Sequence, residues 1–133
     1  MTDSDRTLRV LVVDDNKDAA DSLSRLVQLW GHQVQTAYDG SAIGIVPTFQ
    51  PDAVLLDIGM PRMDGNTMAR AMRRHEAARR TLIIAVTGYH DEGTRESSKE
   101  AGIDHYLIKP VDLTVLEKLL LMKLMEKRLA TSQ

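Results

Sequence analysis

Apolar residues in this chain fall into two patterns. Continuous runs at 8–13, 53–56 and 82–86, rich in Val, Ile and Leu, read as strands buried on both faces of a parallel sheet. A shorter run, Tyr106-Leu107-Ile108, reads the same way, while Gln33-Val34-Gln35-Thr36-Ala37 alternates polar and apolar like an edge strand. Between the strands the period changes to helical. Ala20, Leu23, Leu26, Val27 and Trp30 recur at three- and four-residue spacing over 17–30, with Gly31 placed to end that helix. Asp39-Gly40-Ser41 turns into a weak helix near 41–49, and Asp64-Gly65-Asn66 opens one at about 66–75. Another is predicted at about 92–101, stopped by Gly102, and the last runs from near Asp112 to about Leu129.

Five strands alternating with five helices through short connections predict an α/β fold, a parallel sheet covered on both faces through right-handed crossovers. No stretch longer than six residues reads as a linker, so residues 1–133 form a single domain. The composition agrees: 43% of the residues are hydrophobic and 27% charged, as in a globular protein. Seventeen Lys and Arg against nineteen Asp and Glu give a net charge of −2, which argues against nucleic acid as partner. With no cysteine, disulfide frameworks and zinc–thiolate sites are excluded. The polar start, Met1 to Arg6, is no signal peptide, and no run approaches a membrane span. The expected location is cytoplasmic.

The strand ends carry the chemistry. Asp14 and Asp15 follow the first run, Asp57 the third, Thr87 the fourth and Lys109 the last. In open α/β sheets the carboxyl edge is where ligands bind. Three carboxylates gathered there repel one another, and a divalent cation removes the conflict. Mg²⁺ suits oxygen ligands and accepts phosphate oxygens as further partners. Lys109 and Thr87 add a positive charge and a hydroxyl, useful for an anion with three equatorial oxygens. Aspartate is also a competent nucleophile for phosphoryl transfer. The residues therefore predict a Mg²⁺-dependent phosphoryl-acceptor site with Asp57 as nucleophile. A lone Asp at a strand end is more often a turn former or N-cap; the joint pattern at four strand ends carries the functional reading.

The motifs Val12-Val13-Asp14-Asp15-Asn16, Leu56-Asp57-Ile58-Gly59-Met60-Pro61-Arg62-Met63-Asp64-Gly65, Ala85-Val86-Thr87-Gly88-Tyr89 and Tyr106-Leu107-Ile108-Lys109-Pro110 resemble, in order and separation, the receiver domain of two-component response regulators over about residues 8–125. The resemblance implies a flavodoxin-like fold with strand order 2-1-3-4-5 and a phosphoryl group taken from a histidine kinase or phosphotransfer protein. By position it makes Asp57 the acceptor, Asp15 a direct Mg²⁺ ligand, Asp14 a ligand mainly through water, and the Gly59 backbone carbonyl a further ligand. Lys109 pairs with the phosphoryl oxygens, and its bond to Pro110 is expected cis. Thr87 moves toward the phosphoryl group and Tyr106 turns inward, a two-state switch biased by a local charge event. Gly59 and Tyr89 occupy the positions that tune phosphoryl lifetime. With no side chain at Gly59 to orient water and a tyrosine to shield the group, slow self-hydrolysis is expected.

Competing readings follow from the same residues. An aspartyl-phosphate phosphatase on a similar fold places a second Asp two residues after its nucleophile; Gly59 stands there, so the chain is expected not to be an enzyme. A degenerate, binding-only receiver conflicts with the intact site positions. The chain's extent and its Met1 suggest a stand-alone regulator, while the Val-Thr-Gly-Tyr and Lys-Pro-Val-Asp-Leu wording resembles receivers of hybrid histidine kinases. His32, His75, His90 and His105 lack metal-ligand spacing, and Arg70, Arg73, Arg74, Arg79 and Arg80 read as a solvated basic face, with a docking patch for an acidic partner as the alternative. In the last helix Leu113, Leu116, Leu120 and Leu124 should dock on the sheet. A second stripe, Val115, Leu119, Met122, Met125 and Leu129, exceeds what one amphipathic helix needs and offers a self-association surface for a homodimer.

Overall fold

The computed structural model describes residues 7–59, 64–88 and 99–131. Five parallel strands, β1 (Arg9–Val13), β2 (Gln33–Ala37), β3 (Ala53–Asp57), β4 (Leu82–Thr87) and β5 (His105–Ile108), form one sheet in the order β2-β1-β3-β4-β5. The predicted order is therefore observed. Among the described residues four α-helices accompany them: α1 (Lys17–Leu29), α2 (Ala42–Phe49), α3 (Gly65–Arg73) and α4 (Leu113–Thr131), with a 3₁₀ turn at Glu76–Ala78. Most of the helix predicted at 92–101 lies outside the described residues; residues 99 and 100 are helical, and Gly102 follows at φ +93°.

Strand alternation divides the core into two layers. Leu11, Val13, Val54, Leu56, Ile83 and Ala85 face α2 and α3, meeting Val46, Phe49, Met68 and Met72. Leu8, Val10, Val12, Leu55 and Ile84 face the other way, toward Ala20 and Val27 of α1 and Leu116, Leu120 and Leu124 of α4. Central β3 is buried along its length, whereas edge strand β2 keeps its glutamines exposed. That difference explains a continuous apolar run in one and alternation in the other. Helix α2 survives Pro47 because Ala42, Val46 and Phe49 are buried against the sheet, so tertiary packing overrides weak propensity.

Polar residues set the helix starts. The Asn16 side chain accepts from the Ala19 amide (3.1 Å), Asp64 from Asn66 (3.1 Å), and Asp112 from Thr114 (2.9 Å), each satisfying an otherwise orphaned donor. At Gly65 a side chain has no room: a Cβ there would lie 2.4 Å from the Ile58 Cα. The start of α3 thus sits against the chain just after Asp57.

Two expectations need correction. Leu113 does not dock on the sheet; it is 46% exposed, whereas Leu116 and Leu120 are sealed. The helix begins shortly after the Lys109–Pro110 turn, and its first residue stays outside the α1–α4 core layer. Arg73 does not belong to a solvated face. Its guanidinium donates to the carbonyls of Ala78 (2.8 Å), Thr81 (2.7 Å) and Gly102 (2.7 Å) and to Asp104 (2.8 Å), tying the end of α3 to both following strands. Within the second stripe of α4, Met122, Met125 and Leu129 lie exposed and Leu119 packs against the α1–α4 core layer.

Candidate functional site

The sheet register brings the chemistry together. Val13 pairs with Leu56, Asp57 with Val86 and Thr87 with Ile108. Asp14, Asp57, Thr87 and Lys109 therefore emerge side by side at one carboxyl edge. Asp14 is anchored by its own amide on the Ala37 carbonyl (3.1 Å), and the Lys109 amide donates to the Thr87 carbonyl (2.6 Å). The Lys109–Pro110 peptide is cis.

Carboxylate oxygens of Asp14, Asp15 and Asp57 lie within 4.8 Å of one another. Asp14 and Asp57 are buried and Asp15 is exposed, so the trio has two walls and an open side. Each buried carboxylate is oriented by the backbone two residues on: Asn16 N–H donates to Asp14 Oδ1 (3.0 Å) and Gly59 N–H to Asp57 Oδ1 (2.9 Å). The Lys109 ammonium stands 3.5 Å from Asp57 Oδ2 and 3.7 Å from Asp14 Oδ2. One ammonium faces three carboxylates, leaving the cluster negative. Thr87 is fully buried, and Tyr106, half-buried, packs against the α2–α3 core layer. Gly59 is exposed. Tyr89 lies outside the described residues. A mostly apolar hollow of about 330 Å³ adjoins Asp14, Asp57 and Lys109, walled by Leu23, Leu26, Val111 and Leu113. Its walls come from α1, from the ends of β1, β3 and β4 and from the segment opening α4, parts of the chain that no single stretch of sequence brings together.

Burial pushes the Asp14 carboxyl up to about 6, with the Asn16 amide opposing and the Asp57 charge adding to the rise. A folded-state pKa above the unfolded 3.8 means that the native state binds more protons between those values. Stability then falls as pH rises through that window and levels off above about pH 6. The loss is at most about 3 kcal/mol at neutral pH. Asp14→Asn is expected to raise the metal-free melting temperature at pH 7 and to lose that advantage below about pH 4, read by calorimetry across pH. A neutral-pH melting temperature at or below wild type would refute this.

The donor set fits a hard divalent cation. Three carboxylates converge, their oxygens suit Mg²⁺, and the Asp57 charge that adds to the rise at Asp14 is one a cation would neutralise. Asp14, Asp15 and Asp57 could hold it.

Comparison with known proteins places the class. The response regulator receiver domain pattern matches residues 10–121, and the chain belongs to that family, a signalling domain of two-component systems. Among relatives, the transcriptional regulatory protein PrrA of Mycobacterium leprae is 39% identical over 109 residues, covering 81% of this chain and 46% of PrrA. The regulatory protein AtoC of Escherichia coli is 38% identical, over 81% of this chain and 23% of AtoC. The chain thus spans less than half of these relatives. Among solved structures, the receiver domain of sensor histidine kinase PA1611 from Pseudomonas aeruginosa is 30% identical with a TM-score of 0.79, covering 89% of this chain and 98% of that domain; it is described with a magnesium ion in its active site cleft. A CheY-like receiver domain from Methanospirillum hungatei, 27% identical, aligns at a TM-score of 0.82 over 91% of this chain and 96% of its own. Among the described residues no helix is long and apolar enough to cross a membrane.

Proposed function

We propose that this receiver domain accepts a phosphoryl group on Asp57 from a phosphohistidine of a histidine kinase or phosphotransfer protein. The observation that carries it is the buried Asp57 carboxylate at a strand end, with Asp14, Asp15 and Lys109 gathered around it. An Asp57 oxygen attacks phosphorus, the P–N bond to the donor imidazole breaks, and the imidazole nitrogen takes a proton from solvent. Asp14 and Asp15, with the Gly59 carbonyl, would hold Mg²⁺, which when bound neutralises carboxylate and phosphoryl charge together. Gly59 N–H keeps Asp57 oriented. Lys109 shifts from its two carboxylate partners to the incoming oxygens, the Thr87 hydroxyl follows the phosphoryl group, and Tyr106 moves inward, altering the surface of the last strand and the last two helices. The apolar hollow beside Asp57 gives a donor protein something to cover, excluding water during transfer.

The domain works in the cytoplasm as a switch and not as a turnover enzyme, since Gly59 supplies no general acid. With glycine at that position and Tyr89 near Thr87 in sequence, the phosphoryl group is lost slowly. Receivers occur both in whole regulators and in sensor kinases, and the stand-alone and hybrid-kinase contexts share this chemistry. An immunoblot of native cells separates them: a product near 14.8 kDa supports the stand-alone form, and a larger one overturns it.

The test is incubation with acetyl phosphate and Mg²⁺ followed by intact-mass measurement. A single phosphoryl adduct that outlasts removal of acetyl phosphate supports the switch. Continuous release of phosphate from small esters would instead establish a phosphatase, and absence of any adduct a binding-only domain. Rapid loss of the adduct in Mg²⁺ buffer would overturn the slow-hydrolysis reading alone.

A further inference from the structure

The amino ends of β4 and β5, opposite the acidic trio, hold a cleft of about 760 Å³. The six-residue β4 separates the two sites by roughly 20 Å. A chain of net charge −2 concentrates cations here. Arg73, Arg79, Arg80, Lys99 and Lys123 line the cleft against Asp104 and Glu126, an excess of three positive charges. Two of the cations are fixed by backbone. Arg73 is held by the three carbonyls described above. Lys123, only 9% exposed, donates to the Arg80 carbonyl at 2.6 Å and meets the exposed Glu126 only at 3.5 Å. Each of the two also meets a carboxylate, Arg73 with Asp104 at 2.8 Å and Lys123 with Glu126, so the cleft floor is close to neutral and the surplus charge lies with the remaining cations. Above it, Arg79, Arg80 and Lys99 are exposed and have no carboxylate partner among the described residues.

We propose that this cleft binds a small anion carrying a chain of phosphate groups, at a site separate from the phosphoryl-acceptor pocket. Its volume lies in the range of small-ligand pockets. The guanidinium forks of adjacent Arg79 and Arg80 match phosphate geometry, and Lys99 adds a point charge. Leu82 and Ile103 contribute apolar wall, against which a nucleoside attached to the phosphates can pack.

The test is an NMR titration of the whole chain with sodium tripolyphosphate in magnesium-free buffer, where the acidic trio repels anions. Saturable shifts at the amides of Leu82, Gly102 and His105 are expected. The double variant Arg79→Ala/Arg80→Ala should bind roughly tenfold more weakly while still forming the acetyl phosphate adduct at the wild-type rate, which separates this site from the function proposed above. ATP provides a second arm. Tighter binding than tripolyphosphate identifies a nucleotide, and equal binding a free polyphosphate. Absence of saturation, shifts confined to the Asp14–Asp57 edge, unchanged affinity in the double variant, or tighter binding of a polyglutamate peptide would each overturn the proposal, the last in favour of an acidic protein partner.

Discussion

Asp57→Asn is expected to reduce phosphoryl uptake from acetyl phosphate and Mg²⁺ by more than about a hundredfold, leaving no adduct in the intact-mass spectrum. The substitution keeps shape and one acceptor. The asparagine oxygen can still receive the Gly59 amide, which now holds Asp57 Oδ1 at 2.9 Å. What disappears is the anionic oxygen proposed to attack phosphorus and one of the three charges available to a cation. Losing a negative charge from a cluster whose oxygens lie within 4.8 Å relieves repulsion, so the metal-free variant should melt no lower than wild type. That second measurement keeps the first interpretable, because a folded protein that fails to react isolates chemistry from stability. An adduct of undiminished yield on the variant would move the acceptor role to another residue.

Arg73→Ala is expected to cost about 3 kcal/mol of stability, measured by urea denaturation, and to lower the melting temperature by roughly 10 °C. Its guanidinium, with a side chain 22% exposed, satisfies carbonyls from the 3₁₀ turn, the residue before β4 and the loop before β5. Gly102 O accepts from both Nε (3.0 Å) and Nη2 (2.7 Å). Asp104, its carboxylate partner, also accepts the Ile83 amide at 2.8 Å. Removing Arg73 therefore leaves three carbonyls without their charged donor and unbinds a carboxylate that helps seat β4. Arg73→Lys should restore only part of the loss, since an ammonium cannot reproduce the planar fork. A change below about 1 kcal/mol for the alanine variant would show that water in the adjoining cleft replaces the guanidinium.

Much of the fold is legible in the sequence because burial on two faces leaves a strong mark. β3, buried at every residue, can only be spelled with an apolar run, and edge strand β2 can only alternate. The site residues are legible for a related reason: each directly follows or ends an apolar strand, so its position at the sheet edge comes with the strand. The burial of Arg73 is not legible, because most partners of its guanidinium are backbone carbonyls up to 29 residues away, and carbonyls have no sequence signature. The exposure of Leu113 is not legible, because helical spacing shows which residues share a stripe but not how far along it the core layer reaches.

The sequence by itself determined the strand–helix alternation, the residue types at the strand ends and the apolar excess of the last helix, since periodicity and residue type are local properties. Only the tertiary structure decided how the acidic trio closes to within 4.8 Å and which cations lose their solvent. It alone decided that one edge of the sheet is acidic while the other gathers an excess of positive charge. Those outcomes depend on register between strands and on backbone groups far apart in the chain, and neither is written in any one segment.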